Sequence, residues 1–280
     1  MKTITDWMQW FNERWAPDPF IQRANQIALN ENASGYDEFG AHRSWIVFFQ
    51  CMFSPIYEHY FRVTSEGIDN LPASGPLIFV ANHSGTLPLD GMMLYHDILR
   101  KSQPPRLPRT VADYFVAKLP FVNLSYSRVG VIIGARENVR GVLQNDGTLI
   151  VFPEGLPGIA KPFTKRYQLQ GWREGHIELA LEHRASIIPV AIIGPEEQMP
   201  LVARLPCPKF MKIPYIPLAP VILPLPVRYH IFYGPPVALE RSGRGDDYQD
   251  PELVKRNAQR VKSKVEELIT YGLSRRKGVF

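Results

Sequence analysis

Leu77-Ile78-Phe79-Val80-Ala81-Asn82-His83-Ser84-Gly85-Thr86-Leu87-Pro88-Leu89-Asp90 is the stretch on which the fold turns. Its first five residues are apolar without interruption, which suits a strand buried on both faces. The run stops on two polar residues. Gly85 permits a tight bend. Pro88 fits the first position of a helix and disfavours helix before it. The segment therefore reads as buried strand, loop and helix start, with Asp90 in the first helical turn.

Similar apolar runs recur at 130–133, 149–152 and 187–193, and a late strand is expected at 228–233. Helical spacings lie between them. Residues 89–99 place Met92, Met93, His96 and Leu99 at helical intervals, 137–144 is stopped by Asn145-Asp146-Gly147, and 171–183 follows. A final amphipathic helix over 251–271 has Leu253, Val261, Val265, Leu268 and Ile269 on its apolar side and a solvated basic face. Strands alternating with helices predict an α/β fold: a single domain with a mostly parallel central sheet flanked by helices. Amphipathic helices precede it, because Trp7, Met8, Trp10, Phe11 and Trp15, then Trp45 to Tyr60, form aromatic stripes at helical spacing. These stripes cover a core or lie at a membrane interface, where aromatic side chains are favoured. The division expected is 1–60, an N-terminal amphipathic helical region, and 61–280, the α/β domain.

Composition narrows the function classes. Of 280 residues 45% are hydrophobic and 21% charged, which excludes a disordered chain and a multispanning membrane protein. No run reaches the roughly 18 apolar residues of a membrane-spanning helix, and 1–15, with Asp6, Glu13 and Arg14, has no signal-peptide core. The expected location is cytoplasmic or peripheral on a membrane. Lys+Arg exceed Asp+Glu by 32 to 27, a net +5 that suits an anionic lipid surface or coenzyme phosphate as well as an ordinary solvated surface. Cys51 and Cys207 have no zinc-ligand spacing and read as free thiols, so no metal is expected. Prolines at 206, 208, 214, 217, 220, 224, 226, 235 and 236 exclude a regular helix or central strand there. The apolar part, 213–227, is either an irregular loop packed on the core or a lip that touches a membrane.

The chemistry starts at the end of the first buried strand, since ligands of open α/β sheets bind beyond the carboxyl ends of strands. The loop after His83 can fold back and bring Asp90 to the imidazole. A carboxylate on one ring nitrogen fixes the tautomer and stabilises the imidazolium formed when the other nitrogen takes a proton. A substrate hydroxyl can then serve as nucleophile. Ser84 lacks the Gly-x-Ser-x-Gly setting of a serine nucleophile. Oxyanion donors are not named by the sequence; amides at Ser84-Gly85 or at the next helix start are candidates.

Asn82-His83 with Asp90 resembles the first block of the glycerolipid (lysophospholipid) acyltransferase superfamily. Three further blocks follow in order. Gly130-Val131-Ile132-Ile133-Gly134-Ala135-Arg136 is similar to the second, Val151-Phe152-Pro153-Glu154-Gly155 to the third, and Ile187-Ile188-Pro189-Val190 to the fourth. Six residues separate His83 from Asp90 where the common form has four, a spacing similar to the monoacylglycerol acyltransferase-like branch. The third block continues Leu156-Pro157-Gly158 in place of the usual Thr-Arg-Ser.

The resemblance implies that 61–280 is an acyltransferase domain. His83 would be the general base supported by Asp90, moving a fatty acyl group from acyl-CoA or acyl carrier protein to a lipid hydroxyl. It implies acceptor binding by Arg136 and Glu154. A structural salt bridge for Arg136 and loop ordering for Glu154 are the other readings, while Gly155 permits close backbone approach. Lys161, Lys165 and Arg166 are either contacts for donor phosphates or lipid headgroups, or a solvated patch. No cofactor beyond the acyl co-substrate and no nucleic-acid partner is expected; the partners are the donor, the lipid acceptor and a membrane surface. The rival readings are a lipid or thioester hydrolase with the same residues and a non-catalytic lipid-binding protein.

Overall fold

The computed structural model describes residues 3–84, 87–114, 116–119, 121–206, 215–243 and 245–280. Three helices come first: α1 (Ile4–Trp15), α2 (Asp18–Gln26) and α3 (Arg43–Pro55), the last running into a π-turn at Ile56–Tyr60. α1 starts at a reciprocal capping box between Thr3 and Asp6. The sheet strands are β1 (Thr64–Glu66), β2 (Leu77–Ala81), β3 (Pro108–Ala112), β4 (Ile132–Ile133), β5 (Thr148–Val151), β6 (Ser186–Ile193) and, after a two-stranded hairpin of β7 (Ala203–Pro206) and β8 (Tyr215–Leu218), β9 (His230–Tyr233). Between them lie α4 (Leu89–Lys101), α5 (Val122–Arg128), α6 (Arg136–Gln144), α7 (Leu156–Ile159), α8 (Gly175–His183) and α9 (Pro195–Gln198), and α10 (Pro251–Arg275) closes the chain.

The seven strands stand in the order β1-β9-β6-β2-β5-β3-β4. β6, β2, β5, β3 and β4 are mutually parallel, whereas β9 runs antiparallel to β6 and carries β1 parallel to itself. All five residues of β2 are fully buried between β5 and β6. Each of its larger side chains contributes about 1.5–3 kcal/mol by leaving water, so the apolar run belongs at the centre of the sheet.

The expected α/β architecture is the one observed. The N-terminal helices are not a separate layer of core: Met8, Ile27, Trp45 and Tyr57 share one apolar cluster with Leu77, Phe79 and Ile188. Buried Asp97 of α4 ties them further, accepting from the hydroxyls of Tyr57, Ser65 and Tyr233 and pairing with Lys101.

Three local differences have physical causes. The run at 130–133 narrows to Ile132–Ile133, because Gly130 adopts φ 93 and turns the chain. β3 has no apolar run to announce it: Arg109 within it is buried by an ion pair to Asp37 and by the Phe39 ring 4.8 Å from its guanidinium carbon. The proline-dense segment contributes the β7–β8 hairpin outside the main sheet, as the missing proline N–H groups require. Beyond the hairpin Ile222 is 94% exposed while Val227 is buried, so its apolar residues divide between surface and core. Gly85, Cys207 and Arg244 lie outside the described residues; Cys51 is a free thiol.

Candidate active site

Asn82 extends β2 by one side chain. It is 0% exposed, its Nδ2 donates to the Ile192 carbonyl at 3.0 Å, and its Oδ1 accepts the Ile192 N–H at 2.8 Å. The amide copies a backbone rung and locks the end of β2 to β6, so His83 leaves the sheet from a fixed point.

Asp90 lies in the first turn of α4, fully buried. Its Oδ2 is 2.6 Å from His83 Nδ1 and accepts the Ser84 N–H at 2.9 Å, while Oδ1 accepts the Gly91 N–H at 2.7 Å. A carboxylate only accepts, so Nδ1 carries the proton and Nε2 keeps its lone pair. The helix start adds a favourable field for the negative charge. Phe152 lies nearly flat on the imidazole, with centroids 4.3 Å apart and planes inclined by 25°.

Register explains the next contact. Val80 pairs with Val151, so His83 and Glu154 stand equally far beyond the same rung of adjacent strands. Glu154 Oε1 accepts the His83 N–H at 2.9 Å, and Oε2 accepts the Gln170 N–H at 2.7 Å and lies 3.2 Å from Lys161 Nζ. Glu154 is buried with both oxygens engaged, so of the two roles open to it the geometry corresponds to loop ordering, not to contact with an acceptor. Gly158 closes the space beneath: a Cβ there would lie 2.8 Å from Glu154 Cβ and 3.1 Å from His83 Cβ.

His83 opens onto a groove with a volume of about 940 Å³. One arm is apolar, walled by Phe49, Tyr95, Val111, Leu119, Val122 and Val131. The Tyr95 hydroxyl is held in the neutral form by burial and donates to the Val129 carbonyl at 2.7 Å. The other arm is charged, with Arg136 and Arg140 of α6 facing Glu178 and Glu182 of α8. Arg136 is 66% exposed and donates to Glu178 at 2.7 Å, so it reaches the groove as half of an ion pair. His176, buried on this side, is pushed down to about 4 by burial, opposed by a hydrogen bond to the Arg173 backbone.

Arg173 is the cation the sequence did not single out. Among the described residues no anion or acceptor is bound to its guanidinium, which lies against Gly155 in the groove wall. A Cβ on Gly155 would come within 3.1 Å of the guanidinium carbon, and Gly155 itself adopts φ 55 with ψ −143, so the close approach expected at this glycine is made by Arg173. No motif marks Arg173; the sequence reads it as part of the helix expected over 171–183, whereas α8 begins only at Gly175.

The three basic residues after the third block separate. Lys161 is buried and bound to Glu154, Glu196 and the Gln168 carbonyl, so it is not a contact for donor phosphates or headgroups; burial of two carboxylates draws it inward. Lys165 and Arg166 are exposed and outside the groove walls, with Arg166 over the Phe163 ring. The Ser84 amide, a candidate oxyanion donor, is committed to Asp90. Among the described residues no group of three or more His, Cys, Asp or Glu side chains is placed to hold a metal ion. None of the described helices is long and apolar enough to cross a membrane.

Residues 62–193 match the family model described as Acyltransferase. An uncharacterised Mycobacterium leprae protein is 30% identical over 80% of this chain and 64% of its own length. The human DGAT1/2-independent enzyme synthesizing storage lipids is 25% identical over 72% of this chain and 59% of its own. This chain thus spans less than two thirds of either relative. The crystal structure of the 1-acyl-sn-glycerophosphate (LPA) acyltransferase PlsC from Thermotoga maritima shares the fold, with a TM-score of 0.56 and 17% identity over 98% of this chain and 96% of that one.

Proposed function

We propose that the protein is an O-acyltransferase. It moves a fatty acyl group from a thioester donor, acyl-CoA or acyl carrier protein, to a hydroxyl of a glycerolipid or lysophospholipid at a membrane surface. The observation that carries this reading is the His83–Asp90 pair, 2.6 Å apart, opening onto a groove that is apolar on one side and charged on the other.

Nε2 of His83 takes the proton of the acceptor hydroxyl as the oxygen bonds to the thioester carbonyl carbon. Asp90 stabilises the imidazolium that results. Collapse of the tetrahedral species breaks the carbon–sulfur bond, and the leaving thiolate recovers the proton from the imidazolium. Atoms and charge balance without a protein nucleophile. The apolar arm suits the acyl chain. The guanidinium of Arg173, without an acceptor among the described residues, suits a phosphate of donor or acceptor, since guanidinium groups bind phosphate through paired hydrogen bonds. Exposed Trp7 and Trp10 on α1, with exposed Phe121 and Leu124 flanking the groove residue Val122 in sequence, suit contact with a lipid surface.

The test is acyl transfer from labelled long-chain acyl-CoA, then acyl carrier protein, into lysophosphatidate, other lysophospholipids and neutral glycerides, with His83→Ala alongside. A labelled lipid that disappears in the variant is expected. Free fatty acid without acylated lipid would make the protein a hydrolase. A folded His83→Ala protein with undiminished transfer would remove His83 from the mechanism.

A further inference from the structure

Beneath the two loops that meet at His83 lies a cation that no substrate can reach. Lys161 has a side chain 3% exposed, and its ammonium carries three N–H bonds. Three acceptors surround it: Glu154 Oε2 at 3.2 Å, Glu196 Oε1 at 3.3 Å and the Gln168 carbonyl at 3.3 Å. A buried carboxylate is tolerated only when its charge is matched and its lone pairs are used. Lys161 supplies that match for Glu154, whose other oxygen holds the His83 N–H. The ammonium is therefore two contacts from the peptide that carries the imidazole.

The strap from Lys161 to Gln170 is fastened to carboxylates along its length. The Tyr167 N–H donates to Glu196 Oε2 at 2.9 Å, the Tyr167 hydroxyl donates to Glu197 and accepts the Gly194 N–H, and the Gln170 N–H donates to Glu154. Tyr167 adopts φ 61, a left-handed conformation that a side chain makes costly and that the surrounding bonds must hold. Burial pushes the Glu196 carboxyl up to about 7, with the Lys161 charge acting the other way. Glu196 thus depends on the same cation that serves Glu154.

We infer that Lys161 is a positioning residue for His83, acting through Glu154 to hold the catalytic loop in the geometry in which the imidazole meets both Asp90 and the groove. The kinetic side of this inference rests on the acyl-transfer reading; the geometric side does not. Because the Lys161 ammonium is buried and engaged internally by two hydrogen bonds and an ion pair, it contributes to the rate of the chemical step and not to substrate affinity. Misplacing a reacting group by an ångström costs about 10²-fold in rate.

The experiment compares Lys161→Met with wild type and with Lys264→Met, an exposed lysine of α10 outside the groove walls. Circular dichroism first establishes that each protein is folded. For Lys161→Met, kcat should fall roughly 10²-fold, with KM for donor and acceptor unchanged. Deuterium uptake at the His83 and Ser84 amides should accelerate. Lys264→Met should match wild type in all three. Should Lys161→Met not fold, Lys161→Gln replaces it, since the amide keeps a donor in the same place without the charge. Wild-type kcat in a folded Lys161 variant overturns the inference. So does a rise in KM at constant kcat, which would mean direct substrate contact, and so does unaltered uptake at the two amides. If wild type itself transfers no acyl group, the acyl-transfer reading fails, and uptake at His83 and Ser84 alone decides the positioning role.

Discussion

The backbone N–H of His83 and the carboxylate of Glu154 meet at 2.9 Å because β2 and β5 are in register, with both residues equally far beyond the Val80–Val151 rung. Two sequence motifs separated along the chain are thus one piece of structure. Asp90 holds the ring of His83 from one side, and Glu154 holds its peptide from the other.

Asp90→Asn keeps the shape of the pair but presents an amide that can donate to the ring, which favours the wrong tautomer. Acyl transfer should fall by roughly 10³–10⁴-fold in kcat. The measurement is steady-state transfer on whichever acceptor wild type uses, and a loss under tenfold would remove Asp90 from the catalytic pair.

Gly158→Ala tests the packing under the loop. The added methyl would sit 2.8 Å from Glu154 Cβ and 3.0 Å from the His83 carbonyl, closer than real contacts allow. Displacement of His83 should lower kcat by about 10–10²-fold while the secondary structure seen by circular dichroism is retained.

Arg173 and Arg136 separate the two ways of binding an anion in the charged arm. Arg173→Gln removes the guanidinium beside Gly155 and should raise the KM of the phosphorylated substrate about 10–10²-fold, the scale of a charge-assisted hydrogen bond. Arg136→Gln breaks an exposed pair with Glu178 and should change KM less than threefold, as surface pairs contribute little. A KM effect seen with every acceptor points to the donor phosphates, and one confined to lysophosphatidate points to the acceptor.

Asn82→Ala leaves the N–H and carbonyl of Ile192 without partners in a fully buried place. The cost should be about 3 kcal/mol, read as a lowered midpoint in urea unfolding with an unchanged slope.

His96 gives a pH dependence of stability. Burial pushes its pKa down to about 4, and neither ring nitrogen has a partner among the described residues. Between pH 4 and 6.5 the unfolded chain binds the proton that the folded one refuses. Stability is therefore fully present above pH 6.5 and is lost as pH falls towards 4, by on the order of 3 kcal/mol from this residue. His176, also held at about 4 by burial, adds a similar term. His96→Phe should make the acid limb of Tm against pH shallower; an identical limb would show that His96 is not buried neutral.

The apolar run Leu77 to Ala81, the bend and proline after His83, and the alternation of strand-like and helix-like stretches determined the α/β class and the place of the His83–Asp90 pair. Each is a local signal, written in neighbouring residues. Arg109 in β3 carried no such signal, because its burial depends on Asp37, far away in the chain. The charged residues divided the same way. Arg136, Glu154, Lys161, Lys165, Arg166 and Arg173 are alike in sequence as groups able to bind a substrate. Only the tertiary structure separates them, since whether a charge is spent internally or left for a ligand depends on which partners the fold brings within reach. Glu154 and Lys161 neutralise each other under the loop, Arg136 is balanced by Glu178, and Arg173 is left facing the groove.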